Sequence, residues 1–474
     1  MIPIDNIKIV TNISKKIGVP SDQVYTMLIV LLGIPFSIIN YIIKSPKIRI
    51  IYSLILGFLF QFLVYELGIV HIIITSIITY YFVKFYGRKK SAFYITFITL
   101  FYLATLHLYR LIYYYGRWDI RDPTSIYMMT LCKFCSFAFS FEDGEKNDKD
   151  IYNKTHKKYK IKELPSFLEF LSYIYFYPTA IVGPSFDFID FHNFIYLNKP
   201  YSNMNFVNNL IYGFLNIIVG FLFIGFYGSF NYKFLPDYMS TEKFKSENLI
   251  YKLFYINISS FFTKCKYHGA WSYNYGILIL SGLPYSEEEI TNEKNNNKEV
   301  IKNYNVGYPG SFYIVETSYN PRDIIINWDR SVHLWLKYNV LLRLISVDNK
   351  YLKNNFSLSS FITFICSSIW HGFYKCYYYF FISFYFLQQS SEILNKIGFY
   401  NVLNKSNFCF KILCSIIIQS IINSVSDIFF ILKEELVIKY LKNVYYFPFI
   451  SVILLYLICQ FMMINFKNKK NKIQ

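Results

Sequence analysis

Apolar runs of about the length of a bilayer recur along this chain, and they constrain its fold more than any other feature. Segments 26–46, 49–66, 68–85, 92–114, 206–230, 250–264, 268–283, 357–374, 376–396, 408–432 and 444–466 are all strongly apolar. A helical span of the hydrocarbon core needs roughly 20 such residues. Two further stretches, 124–141 and 167–182, are apolar but short or interrupted. They read as re-entrant or buried helices, the form irregular backbone takes at membrane depth. The expectation is an all-α, polytopic integral membrane protein with about 10–12 helices that cross or enter the bilayer. No soluble domain is evident, so residues 1–474 read as one membrane domain, with an N-terminal segment 1–25 and a basic cytosolic tail 467–474.

Composition agrees. The chain is 54% hydrophobic and only 16% charged, against about a quarter charged in soluble domains. Its net charge is +18, with the lysines in short loops between apolar runs, as the positive-inside rule produces. Such loops attract membrane lipids with anionic head groups, and the placement argues against a nucleic-acid partner. The eight cysteines are scattered; Cys132 and Cys135 have CxxC spacing but no second pair or flanking histidine. Neither a metal site nor a disulfide framework is expected. The first residues lack the basic and apolar regions of a cleaved signal. Lys470 and Lys472 near the end resemble a dilysine retrieval signal, which places the protein in the endoplasmic reticulum; a basic flank anchoring the last helix is the alternative. Polar stretches 142–163 and 284–307 read as solvated loops without chemistry.

Four polar islands interrupt this pattern. His371 lies in Phe364–Tyr374, within a run otherwise apolar enough to span. An imidazole at membrane depth faces a cavity or a partner and is a functional candidate by default; a hydrogen bond to a neighbouring helix is the plainer reading. Gly372 beside it leaves room for a close approach. In 327–343, Trp328, Val332, Trp335 and Leu336 recur at helical spacing. Asp329 stands where a carboxylate suits a helix N-terminus, and the plainer reading is an interfacial helix with tryptophan anchors. In 264–285, Lys264, Lys266, Tyr267 and Trp271 precede an apolar run, which also fits a basic flank with an aromatic belt. In 164–187, Pro178 and Gly183-Pro184 interrupt a run containing Glu169, which suits a re-entrant segment lining a cavity. There is no glycine-rich phosphate loop, HExxH or GxSxG.

Together these islands resemble the membrane-bound O-acyltransferase family, in its lysophospholipid acyltransferase branch. Trp370-His371-Gly372 is similar to that branch's Trp-His-Gly motif, and Lys266–Trp271 to its Lys-Tyr-Tyr-x-x-Trp. Residues 327–343 resemble its Trp-Asn-x-x-Thr-x-x-Trp-Leu helix, 164–187 its Pro-Ser-Leu-x-Glu-Tyr…Gly-Pro segment, and 133–144 its Lys-x-x-Ser-Leu-Ala-Phe…Asp-Gly segment. The five occur in the family's order, over about residues 90 to 395.

The resemblance implies helices around a central chamber that a lysophospholipid enters from lipid and acyl-CoA from the cytosol. Acyl-CoA is then a co-substrate, and no cofactor is needed. His371 maps onto the catalytic histidine. The second catalytic residue, usually Asn six positions before the helix tryptophan, falls on Asp329; Asn327 takes the role if the register slips. His268 stands where the branch prefers Tyr. Lys264, Lys266, Tyr267, Trp271, Trp328, Trp335, Trp370, Gly183 and Glu169 are the expected substrate-binding residues, the two lysines as point charges for CoA phosphates. Another acceptor within the family (diacylglycerol, sterol, a glycolipid-anchor intermediate or a protein) is one alternative. A lipid transporter or scramblase with His371 lining its pathway is another.

Overall fold

The structure is a computed structural model describing residues 7–17, 21–117, 122–149, 151, 153–181, 183–291, 298–346, 349, 351–353 and 355–471. It is 79% helical. Lys472 of the dilysine pair lies outside the described residues.

Helices α1 (Lys8–Ile17), α2 (Ser21–Leu31) and α3 (Gly33–Ile42) lead into the long pair α4 (Pro46–Tyr65) and α5 (Ile69–Tyr86), then α6 (Ser91–Tyr113). A central group follows: α7 (Thr124–Asp143), α8 (Lys154–Tyr159), α9 (Phe167–Ile174) and α10 (Phe188–Tyr196). Next come α11 (Phe206–Phe230), α12 (Glu242–Ser246) and α13 (Leu249–Ser281). Strands β1 (Tyr285–Thr291) and β2 (Lys298–Tyr304) precede the short helices α14 (Phe312–Thr317), α15 (Pro321–Asn327), α16 (Arg330–Leu336) and α17 (Leu342–Ser346). The chain closes with α18 (Phe356–His371), α19 (Lys375–Lys396), α20 (Phe399–Lys405), α21 (Phe408–Ile431), α22 (Glu434–Asn443) and α23 (Phe447–Asn471).

Among the described residues, six stretches are long and apolar enough to cross a membrane: Ser21–Ile42, Pro46–Tyr86, Ser91–Tyr113, Phe206–Ser240, Phe408–Ile431 and Phe447–Asn468. Their outward faces are apolar. Ile211, Leu215, Ile218 and Leu222 are exposed on α11, and Ile450, Ile453, Leu454, Leu457 and Phe461 on α23. In water such faces would be a liability; in lipid they are solvated. The chain is an integral membrane protein.

Several elements differ from their sequence expectations. The runs 250–264 and 268–283 form one continuous helix, α13, because no proline interrupts them and Gly269 packs against α11. The island containing Lys264 and Trp271 therefore lies mid-helix, not between two spans. Within 284–307, β1 and β2 pair antiparallel with Glu287 opposite Lys302, an opposite-charge pairing that favours this register. In 142–163, α8 folds back on the core. Stretch 124–141, by contrast, is a buried helix, one of the two forms expected of it, with 15 of the 20 residues of α7 buried.

Helices α11 and α13 cross closely through glycines. A Cβ added to Gly276 would meet the Gly213 carbonyl at 2.6 Å, and one added to Gly220 would meet the Gly269 carbonyl at 2.8 Å. Small residues let backbones approach where lipid supplies no hydrophobic drive for helix association. Gly276→Leu should therefore lower the Tm of the detergent-solubilised protein by several degrees. Gly225→Leu, on α11 but facing open space, should leave it unchanged; equal effects of the two would show that the crossing is not glycine-limited.

Candidate active site

His371 ends α18. The next residue, Gly372, has φ +123°, and its N–H donates to the Ser368 and Ile369 carbonyls at 3.0 and 3.1 Å. Glycine is the residue for such a C-terminal turn, so the motif's glycine first serves to stop the helix. Before it, Trp370 is buried, donates its indole N–H to the Met128 carbonyl at 3.1 Å, and stands 6.3 Å from Trp335. The His371 ring lies nearly parallel to Phe381 at 5.1 Å and edge-on to Phe429 at 5.1 Å, with Tyr377 at 5.5 Å. It is half-buried. Among the described residues no protein group hydrogen-bonds its nitrogens, which are not sealed in the packing either. The plainer expectation, a histidine tied to a neighbouring helix, is not what the fold contains.

His371 also lies on a seam. Trp335 and Trp370 belong to the largest hydrophobic core, formed with the N-terminal helices, while Tyr374, Tyr377 and Phe381 belong to a second core with α21 and α22. Ligand sites favour such boundaries between packed units.

Asp329 caps α16. Its carboxylate accepts the Val332 N–H at 3.4 Å and the Ser331 hydroxyl at 3.0 Å, and its own φ is +41°. Asn and Asp are the non-glycine residues that best tolerate this left-handed region, and both cap helices well. The replacement of the family's Asn by Asp is thus locally conservative. Burial pushes the Asp329 carboxyl up to about 6. Asp329 lines a pocket with Gly183, Pro184, Trp271 and Ser331, closed by Met129, Gly307 and Pro309. Three islands far apart in sequence meet there.

The aromatic residues make one wall. Trp271 and Trp328 stand 5.0 Å apart, Tyr267 is 5.7 Å from Trp328, and His268 packs against both tryptophans. Tyr267 continues to Phe430 at 5.9 Å, next to the Phe429 that touches His371. This wall links the Asp329 pocket to His371. Among the described residues no hydrogen bond joins the two, and His371 does not line that pocket.

Other expected residues are occupied elsewhere. The Asn327 amide donates to the Asp323 carbonyl at 2.9 Å and accepts the Ser311 N–H at 3.1 Å, holding the entry to α14. Lys264 is buried, 2.5 Å from a Glu316 carboxylate oxygen and 3.0 Å from the Asn423 side-chain oxygen. It ties α13 to α14 and α21 and does not reach out for phosphate. Lys266 is exposed, with its ammonium over the Tyr227 ring at 5.7 Å. Glu169 is buried and accepts from His192 Nδ1 at 2.7 Å, away from the aromatic wall.

Sequence reasoning passed over Phe381 and Phe429, which only the fold brings to His371. It also assigned no role to loop 142–163. There, Arg343 forms a two-pronged pair with Asp143 at 2.9 and 2.5 Å, and His156 Nε2 donates to the Tyr338 carbonyl at 2.8 Å. Burial and the nearby Arg343 push His156 down to about 4. It stays neutral at cytosolic pH and docks the loop beside the helix that follows Asp329.

A polytopic helical protein that sets an imidazole at the seam of two cores, joined by an aromatic wall to a pocket holding a carboxylate, has the make-up of a membrane-embedded transferase. The chain belongs to the membrane-bound O-acyltransferase family, whose model matches residues 58–426. It is similar to "Lysophospholipid acyltransferase" of Schizosaccharomyces pombe, 28% identical over 392 residues, covering 81% of this chain and 74% of that one. The protein of the same name from Saccharomyces cerevisiae is 26% identical over 403 residues, covering 79% and 62%. Human "Lysophospholipid acyltransferase 5" is 24% identical over 365 residues, covering 75% and 70%.

The geometry ranks the two candidate partners of His371. Asn327→Ala should cost about 1 kcal/mol of stability, seen as a lower Tm, because it removes hydrogen bonds to backbone, with turnover per folded molecule retained. Asp329→Ala should abolish most turnover. The reverse ranking in a transfer assay would move the role to Asn327.

Proposed function

We propose that the protein transfers an acyl chain from acyl-CoA to the free hydroxyl of a lysophospholipid, restoring a two-chain phospholipid, in the endoplasmic reticulum membrane. The observation that carries this reading is the His371 imidazole, its nitrogens free of protein partners among the described residues. The names of the relatives supply the acceptor class.

In this mechanism neutral His371 takes the proton of the glycerol hydroxyl as that oxygen attacks the thioester carbonyl. The tetrahedral intermediate collapses, the C–S bond breaks, and the imidazolium returns its proton to the CoA thiolate. General-base help of this kind is worth about 10²–10⁴ in rate. Asp329, mostly ionised above its raised value of about 6, lines the pocket that the aromatic wall links to His371 and supplies the negative charge of the site. The aromatic wall of Tyr267, Trp271 and Trp328 excludes water, which limits hydrolysis of the thioester, and offers apolar surface to the acyl chains. Exposed Lys266 is the lysine left for an anionic group. No cofactor takes part.

His371→Ala should abolish transfer of labelled acyl-CoA in microsomes while the protein accumulates normally; full activity in that variant would end this mechanism. The pH profile offers a second check. With a raised carboxyl value, the ionised Asp329 persists above about pH 6 and is lost below it, so activity should fall as pH drops through 6. The residual activity of Asp329→Asn should lack that limb. Expression in cells lacking their own lysophospholipid acyltransferases, with a panel of lysolipids, identifies the head group.

A further inference from the structure

We propose that His107 is a positioning residue for the transfer: it fixes the backbone turn that carries His371. The inference rests on reading His371 as the base. His107 lies on α6, is only 5% exposed, and donates from Nε2 to the Trp370 carbonyl at 3.0 Å. That carbonyl belongs to the last turn of α18, where helix geometry leaves oxygens without intrahelical donors. The Gly372 N–H turns back to Ser368 and Ile369 and does not serve it. A buried side-chain donor is what such an oxygen requires.

The same ring reaches the other side of His371. A Cβ on Gly372 would stand 3.1 Å from His107 Nδ1, so the imidazole packs closely against the glycine. One ring therefore bonds the residue before His371 and packs against the residue after it. The bond ties residues 263 apart in sequence, across two separate elements of the fold. Because the His371 nitrogens meet no protein group among the described residues, nothing polar orients that ring directly. Its aim depends on the backbone of 370–372 and on the faces of Phe381 and Phe429. Misplacing a reacting group by a fraction of an ångström is enough to lower a rate substantially. Holding the turn leaves the catalytic nitrogens free for substrate, which a direct hydrogen bond to His371 would not.

The test uses the full-length protein in lipid nanodiscs, with labelled acyl-CoA and the lysophospholipid it acylates. His107→Gln puts an amide N–H near the Nε2 position, His107→Asn puts it near Nδ1, and His107→Leu supplies none. The Asn and Leu variants should lose about tenfold or more in kcat, with the KM of both substrates within about twofold of the parent. The Gln variant should stay within about threefold of the parent kcat. Equal kcat for Gln and Asn, or a loss confined to KM or to protein yield, overturns the proposal. If Leu fails to accumulate, the Gln–Asn comparison decides alone. His371→Ala in the same series separates the two readings. Full activity there removes the base itself, whereas an inactive His371→Ala with equal Gln and Asn variants removes only the role of His107.

Discussion

Backbone carbonyls at helix ends have no water to bond to inside a membrane domain, and this protein meets that constraint with basic side chains. The fold contains many short interior helices, and each ends in oxygens without intrahelical donors. Fully buried Arg49 donates to the Phe194 and Ile195 carbonyls at the end of α10, and its guanidinium lies 4.0 Å over the Phe194 ring. Lys133 donates to the Tyr173 and Ile174 carbonyls at the end of α9, at 3.1 and 3.2 Å. Lys252 serves Lys245 at the end of α12 and Asn443 at the end of α22, both at 2.9 Å. Arg88 bonds the carbonyls of Phe141, near the end of α7, and of Ile161. A cation also suits the negative end of the helix dipole. These side chains let irregular backbone exist at depth.

The turn that carries His371 is a variation on the same solution. At the end of α18 the donor is an imidazole, His107. Around it the fold separates two tasks. Backbone and aromatic faces hold His371 in place, while its nitrogens remain open. Asp329 combines tasks differently: one carboxylate caps α16, sits in a left-handed turn and lines the pocket. That combination suits Asp or Asn at this position. A β-branched or apolar residue there would strain the backbone and leave the helix start uncapped.

Much of this was legible in the sequence because it is local. Trp370-His371-Gly372, the cap at Asp329 and the break at Gly183-Pro184 each express their geometry within a few residues. The apolar runs mark the lipid-facing helices for the same reason. Less legible was anything that depends on which element lies opposite. His107 has the credential that singled out His371, an imidazole inside an apolar run, yet its partner is 263 residues away. Lys264 read as a contact for phosphate until Glu316 and Asn423 were found beside it. The glycines of α11 and α13 look ordinary until the helices cross.

By itself the sequence determined that the chain is a helical membrane protein, where most of its apolar runs lie, and that an imidazole stands inside one of them. These are matters of segment length, hydropathy and local turn chemistry, which neighbouring residues settle. Only the tertiary structure decided that Asp329, Trp271 and Gly183 share one pocket, that Asn327 bonds Ser311 and Asp323 while Lys264 pairs with Glu316, and that among the described residues no group bonds the His371 nitrogens at a seam between two cores. Burial and pairing are properties of the space between elements, and no single segment contains that space.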